Sequence, residues 1–401
     1  MDMRTAVIVD AARSPMAKGK GPKDDRPGGA LSGIHPAELL GQVFTGLLGR
    51  HDFDPVEVDD VIMGCVSQVA EQAGPVGRWA WLGAGLPDTV PSTTIDRRCG
   101  SAQQAIEFAA MGVMTGVYDI VVAGGVESMS RVPMFTARMG KDPAGPKVAE
   151  RYAPGLVPQG ISSELIARDW GLSRHDLDVF AARSQQQAAA TDLSAEIVPI
   201  TVDGNGSGPR VVDTDETIRP NTTVETLAGL KPAFQAPEYD ERFPDLGWST
   251  TAGNSSQLAD GAAALLIMSE EKASALGLRP RARIHAMSVA SADPILMLTG
   301  PIPATEKVLA RTGMSVGDFD HIEVNEAFAP VPLAWAKHFD ADLEKVNPRG
   351  GAIALGHPLG ASGARLMTTM LHGLEATGGR WGLQTMCEAG GMANATIIER
   401  L

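Results

Sequence analysis

Cysteine is scarce in this chain, with three in 401 residues. So few exclude a disulfide framework, point to a reducing compartment and make each thiol a candidate for packing or for chemistry. Net positive charge is missing too. Thirty-four Lys and Arg stand against 48 Asp and Glu, a formal charge of −14, so the total carries no footprint for nucleic acid or an anionic membrane surface. No apolar run approaches the ~20 residues of a membrane span; the longest small-apolar run is Gly261 to Met268. The N-terminal apolar stretch, Ala6 to Val9 before Asp10, is too short for a secretory signal and reads as a first buried strand. A soluble cytoplasmic protein without membrane insertion is the expectation. Short-period repeats are absent. So are Gly-x-x-x-x-Gly-Lys-Ser/Thr, a clean Gly-x-Gly-x-x-Gly after the first strand, and Cys-x-x-Cys or His-x-x-x-His spacings. Nucleotide hydrolysis, dinucleotide-dependent hydride transfer and a bound metal all lose ground.

What is present is a folded, multi-unit composition. Hydrophobic residues make up 44% and charged residues 20%, with 45 Gly and 27 Pro, a balance that excludes disorder as the main state. The length calls for two or three packed units or one large α/β assembly.

The same order of elements occurs twice. Asp59 to Gly64 reads as a short buried strand, and Asp320 to Asn325, about 260 residues on, holds the same place. After the first comes a turn at Cys99-Gly100-Ser101-Ala102, a helix to about Met114, and a strand Ile120 to Ala123 expected to end at Gly124-Gly125. After the second, Gly360-Ala361-Ser362-Gly363 opens a helix to about Leu374, and the strand Gly382 to Met386 ends in Cys387-Glu388-Ala389-Gly390-Gly391. This order predicts a duplicated α/β fold, two layered mixed-sheet halves packed face to face, with function where they meet. Residues 129–258 break the pattern. Pro and Gly punctuate Arg131 to Gly160, Asp203 to Gly208 signals a hairpin or loop, and Ser162 to Ala190 is helical in pattern. This stretch reads as an insertion folded over the core.

Four side chains stand out for chemistry. Cys99 precedes a helical run, where the helix dipole, unpaired amides and the neighbouring Arg97 and Arg98 are expected to favour the thiolate over a free thiol of pKa ~8.5. Cys387 sits at the repeat-related strand end before a glycine turn that leaves little bulk to hide it. Two thiols, one from each half, then meet in one cleft as a disulfide, a metal site or a nucleophile–base pair. His357 lies among glycines from Gly350 to Gly363; an imidazole near a thiol is the usual means of making a thiolate at neutral pH. Asn325 is a candidate to orient a water or polarise a carbonyl, with a turn-forming role as the alternative. Cys65 reads as packing.

Five ordered blocks carry a resemblance. They are Arg98-Cys99-Gly100-Ser101; Gly124 to Ser130; Asn254-Ser255-Ser256-Gln257 with Asp260 to Ala263; Asn325 to Ala329; and Gly350 to Gly363 followed by Cys387. On these, essentially the whole chain closely resembles the thiolase family of coenzyme A-dependent acyltransferases. The resemblance implies an N-terminal core half of residues 1–128 plus 259–280, an inserted loop domain of 129–258 covering the active site, and a C-terminal core half of 281–401. It implies a homodimer or homotetramer with CoA as co-substrate and no permanently bound cofactor or metal, and association with other β-oxidation enzymes is a further possibility it raises.

By the same resemblance Cys99 is the acyl-accepting nucleophile, His357 activates it, and Cys387 moves protons. Asn325 holds a water that forms one oxyanion site with His357; the amides of Cys99 and Ala389 form the other. Ser256, Arg219, Gln159 and Phe328 line the CoA and acyl channel, with a basic patch near Arg219 for the CoA phosphates. Pro158-Gln159-Gly160 and the Asn254 block resemble degradative 3-ketoacyl thiolases, acting on fatty-acyl or sterol-derived chains, more than the acetoacetyl-CoA-forming biosynthetic type. Asp96, Ala102 and Ala389 depart from the family's usual Asn, Gly and Gly. The rivals are a decarboxylating condensing enzyme, against which Cys387 argues, and a non-catalytic acyl-CoA-binding subunit, against which all four site positions argue.

Overall fold

Alternation along the first strand, β1 (Ala6–Arg13), sets the layers. Val7 and Val9 enter one hydrophobic core, while Ala6, Ile8 and Ala11 enter another, as the two-residue period of a strand requires. The computed structural model describes residues 3–23, 26–203 and 208–401. From β1 the chain runs through β2 (Ala17–Lys18), α1 (Pro36–Leu48), β3 (Asp60–Gly64), α2 (Val76–Gly83), β4 (Ser92–Ile95), α3 (Ser101–Met114) and β5 (Ile120–Ser128). A largely helical excursion follows: α4 (Gly145–Arg151), α5 (Gln159–Asp169), α6 (Arg174–Ala190), β6 (Ile200–Val202), β7 (Arg210–Val212), α7 (Val224–Ala228) and α8 (Pro237–Arg242). The chain re-enters the main sheet as β8 (Ala259–Ser269) and continues as α9 (Glu270–Ala275), β9 (Ala282–Ser291), α10 (Pro301–Thr312) and β10 (His321–Val324). Last come α11 (Pro330–Phe339), α12 (Ala352–Leu355), α13 (Ser362–Thr377), β11 (Trp381–Glu388) and β12 (Met392–Arg400).

Among the described residues the main sheet has the order β10-β11-β12-β9-β1-β8-β5-β3-β4, with β2 on β8. Read outward from the β1–β9 junction, the two sides match. β3 is parallel to β4 and β5, β10 is parallel to β11, and Ile322 bridges in parallel to Val346 where a counterpart of β4 would lie. The halves join edge to edge through Val7–Arg283 and Ile8–Ala282, where the repeat predicts two faces meeting. Helices α3 and α13 fill the space between them. Ala105 and Ala109 of α3 share one core with Met367 and Leu371 of α13 and with strand residues of both halves, Leu265 and Ile398 among them.

Two local expectations need correcting. Gly124-Gly125 is no turn: β5 runs on to Ser128, paired with β8 throughout. The glycines are there because of close approach. A Cβ on Gly124 would overlap the Ala263 carbonyl, and one on Gly125 the Gly360 carbonyl, which lies in the His357 loop. The helical run from Ser162 is broken after Asp169 by Gly171 at φ +61°, and α6 restarts on a Ser173–Asp176 capping box. β6 and β7 pair antiparallel, but residues 204–207, at the centre of the expected hairpin turn, lie outside the described residues.

Gly125→Ala should therefore cost about 1–3 kcal/mol through overpacking and push back the His357 loop. A lowered urea midpoint is expected; a midpoint equal to wild type would contradict the packing described.

Candidate active site

The turn before α3 is knitted by one hydroxyl. Ser101 Oγ accepts from the Arg97 amide at 2.9 Å and donates to the Arg98 carbonyl at 2.5 Å, while Arg98 takes φ +50°. Cys99 therefore points inward at 4% exposure, packed on Leu366 and Met386. Its environment does not favour the free thiolate that the sequence predicts. Burial pushes the thiol far above its usual range, and negative charge on Cys387 or Glu388 adds to this. The helix amides are already engaged, Gly100 with the Arg97 carbonyl at 3.1 Å and Ser101 with that of Arg98 at 3.0 Å. Arg98 is turned to Asp96 at 3.3 Å. Only the amides of Cys99 itself and of Ala389 favour charge on the sulfur. Ala389 keeps a negative φ, the positive values falling on Gly390 and Gly391, so its Cβ costs no backbone strain.

Cys387, at the end of β11, is fully buried, contrary to the expectation of an open thiol beside glycines. It packs among Val324, Ala327, Phe328 and Leu298, and burial pushes its pKa up to about 12, opposed by hydrogen bonding from the Asn325 side chain. Asn325 follows β10 and is held by its amide to the Thr385 carbonyl at 3.1 Å. Its Nδ2 also faces His357 Nε2 at 3.4 Å. On the other side of the ring, His357 Nδ1 lies 2.6 Å from Ser362 Oγ, which donates to the Pro358 carbonyl at 2.9 Å. With Asn325 and Ser362 assigned in this way, Nδ1 carries the proton and Nε2 keeps its lone pair. Burial, then the positive charge of Arg365, lowers the His357 pKa to about 3. His357 is thus neutral, Asn325 reaches both its Nε2 and the Cys387 thiol, and charge on Cys387 would act on Cys99, so all three titratable groups rest uncharged.

The loop carrying His357 hangs from three anchors. Glu127, buried, accepts from the Gly360 amide at 2.9 Å, and also from the amides of Val66 and Ser67 and from Gln72 Nε2. Glu326 accepts from the Ile353 amide at 3.0 Å, from Ser184 Oγ and from Asn347 Nδ2. The Gln257 carbonyl takes the His357 amide at 2.9 Å. Glu127, Glu326, Gln257 and Ser362 all stand in the motif blocks, yet only Ser362, five residues after His357, carries a spacing signal for its contact.

Of the expected channel residues, Arg219 and Ser256 connect to this loop through Gln257, while Phe328 and Gln159 lie beside the Phe234 ring. Arg219 is exposed and donates to Gln257 Oε1 at 3.0 Å. The Ser256 amide bonds to the Ala327 carbonyl at 3.0 Å, and Ser255 bridges to Phe328. Gln159, half-buried, opens α5; the next residue, Gly160, backs on the Phe234 ring, which stands edge-on to Phe328 at 5.8 Å. Cys65 follows β3 in the first core, its backbone close against Gly360 of the His357 loop. Among the described residues no group of His, Cys, Asp and Glu is arranged to hold a metal ion, and no helix is long and apolar enough to cross a membrane.

Comparison with known proteins settles the ancestry of this arrangement. Residues 6–271 match the model of the thiolase N-terminal domain, and residues 278–400 that of the thiolase C-terminal domain. The chain belongs to the thiolase family. It is 46% identical to the steroid 3-ketoacyl-CoA thiolase FadA6 of Mycobacterium tuberculosis, covering 100% of this chain and 95% of that one. It is 43% identical to a 3-ketoacyl-CoA thiolase of Shewanella frigidimarina over the full length of both. The crystal structure of a Bacillus anthracis acetyl-CoA acetyltransferase superposes with a TM-score of 0.87 at 39% identity, covering 100% of each chain.

Two outcomes test the geometry of this thiolase site. In 15N-histidine spectra the His357 ring should stay neutral with Nδ1 protonated at pH 5, well above its depressed pKa; an imidazolium signal there would contradict the assignment. Ser362→Ala, which removes a hydrogen bond of net worth about 1 ± 0.5 kcal/mol, should lower kcat/KM roughly tenfold with little change in KM.

Proposed function

We propose that this thiolase cleaves a 3-ketoacyl-CoA with CoA, giving acetyl-CoA and an acyl-CoA two carbons shorter. What supports the reading is a pair of buried thiols, one from each half, near enough for charge on Cys387 to act on Cys99, with Asn325 hydrogen-bonded to Cys387 and facing the neutral His357. His357 Nε2 takes the Cys99 proton as the sulfur attacks the keto carbon of the substrate. The bond between C2 and C3 then breaks, the acyl group stays on Cys99, and Cys387 protonates C2 of the departing acetyl-CoA enolate. The Cys387 thiolate next takes the thiol proton of CoA, whose sulfur attacks the acyl-enzyme. Cys99 leaves and regains its proton from His357, so the two half-reactions balance. Asn325 with His357, and the amides of Cys99 and Ala389, are placed to receive the two oxyanions, and such donors are typically worth about 3–4 kcal/mol each.

CoA acts as co-substrate, with no resident cofactor, along Ser256, Arg219, Gln159 and Phe328. The acyl chain is fatty-acyl or sterol-derived. The half-buried Phe234, Tyr239, Phe243, Trp248, Ile295 and Leu296 pack on the cluster that holds Cys387, a broad apolar wall for such a chain. Residues 129–258 form the cover over this wall. A homo-oligomer is supported by the unpaired outer edge of β4 and by the exposed Trp79, Leu82, Phe108 and Met111. The likeness to an acetyl-CoA acetyltransferase supports a second reading, condensation of two acetyl-CoA by the same steps in reverse.

Acetyl-CoA release from linear and ring-bearing 3-ketoacyl-CoA substrates, alongside acetoacetyl-CoA formation, separates these readings. Cys99→Ala should abolish turnover, and Cys387→Ala should lower kcat about 100- to 10,000-fold through lost proton transfer. Full activity in the Cys99→Ala protein would overturn the mechanism.

A further inference from the structure

Directly beneath the nucleophile turn lies a second polar cluster that the mechanism above does not use. Glu388 ends β11 between Cys387 and Ala389 and is fully buried. Its carboxylate covers Gly100, so closely that a Cβ on that glycine would overlap Glu388 Oε1 and meet Asn394 Oδ1 at 3.0 Å. Glu107, on the second turn of α3, faces the same space with Gln104 and Asn394. Among the described residues, hydrogen-bond partners are lacking for both oxygens of Glu388, for Glu107 Oε2, Gln104 Oε1 and Asn394 Oδ1, and for one donor, Asn394 Nδ2.

The inventory is lopsided, because acceptors outnumber donors and two carboxylates share a space that water does not reach. The charged groups facing Glu388 are the half-exposed Arg97, Glu107 and Asp96, and the Cys99 and Cys387 thiols adjoin it. One guanidinium opposes three carboxyls. Protons on the buried pair supply the missing donors and remove the cost of burying like charges together.

We propose that Glu388 and Glu107 are a proton-holding pair that sets the charge beneath Cys99: neutral, they leave room for the thiolate and the oxyanion beside Ala389, and ionised, they oppose both. Both carboxyls are raised to about 8, chiefly by burial, and charge on Glu107 raises Glu388 further. Glu388 acts through Cys99 and the Ala389 amide, and so is a positioning residue. The consequence for turnover rests on the acyl-Cys99 reading; the consequence for the thiol does not.

The test is the pH dependence of Cys99 alkylation by iodoacetamide, read by mass spectrometry, together with thiolysis kinetics, in wild type, Glu388→Gln and Glu107→Gln. At pH 7 alkylation of Glu388→Gln should lie within about twofold of wild type. At pH 9, where the wild-type pair carries charge, the variant should be alkylated roughly tenfold faster, the equivalent of one pKa unit, and should keep kcat/KM where wild type loses about fivefold or more. Thermal melts give an independent reading. With folded values near 8 against an ordinary 4.5, folding takes up protons, so wild-type stability should fall as pH rises between those values and each Gln variant should flatten that slope. Alkylation profiles that coincide for wild type and both variants, or a uniform loss at every pH, would overturn the proposal. A wild type without thiolysis would instead strike the functional reading and leave the alkylation test standing.

Discussion

The buried carboxyl of Glu127 is the contact on which the rest of the site depends. It lies at the end of β5, out of contact with water, and gathers three backbone amides and a glutamine side chain. Two of those amides, Val66 and Ser67, belong to the loop after β3, and the third, Gly360, to the loop that carries His357. One side chain thus joins the halves of the duplicated fold beside the loop that carries His357. The glycines at 125 and 360 are the steric side of the same contact, since strand and loop backbones pass with no space for a Cβ. A carboxylate so placed is tolerable only because nearly all its acceptor capacity is used.

The site as a whole is built of groups that burial keeps neutral. Both thiols are raised, the imidazole is lowered, and the carboxyls behind Cys99 are raised. In each case desolvation is the first cause. A reactive cysteine is often pictured as a standing thiolate beside positive charge, but no such charge is arranged here. Each thiol is instead costly to ionise alone, and what favours charge on Cys99 is its own amide and that of Ala389. Fully buried thiols are also shielded from oxidants in the resting state, because the thiolate is the reactive form.

Much of this was legible in the residues. The strand–turn–helix around Cys99, the second such unit ending at Cys387, the glycine-rich loop of His357 and the strand end at Asn325 all appear where periodicity and turn chemistry place them. These are local features, set by hydrophobic spacing and by Gly and Pro. Two of the misreadings, at Gly124-Gly125 and Cys387, arise because the deciding partner is remote in sequence, whereas the groups that use up the amides beside Cys99 lie within two residues of it. Gly124-Gly125 looks like a turn until the Gly360 carbonyl is seen against it. Cys99 looks activated by a helix end until Ser101 and the carbonyls of Arg97 and Arg98 are seen to have used the amides. Cys387 looks open until the α10 and α11 side of the core closes over it.

The sequence by itself determined the family and the doubled order of elements, and it singled out four candidate side chains, because motif and spacing along the chain record them. Three cysteines resolve into one core residue and two that lie close to each other, one from each half. The tertiary structure alone decided the charge state of those groups, the tautomer of His357, the edge-to-edge junction of the halves through β1 and β9, and the carboxyl pair under Gly100. The reason is physical. Burial and hydrogen-bond pairing are properties of atoms brought together from distant positions, 293 residues apart for Gln103 and Thr396, and no local pattern encodes what such distant groups do to one another's protons.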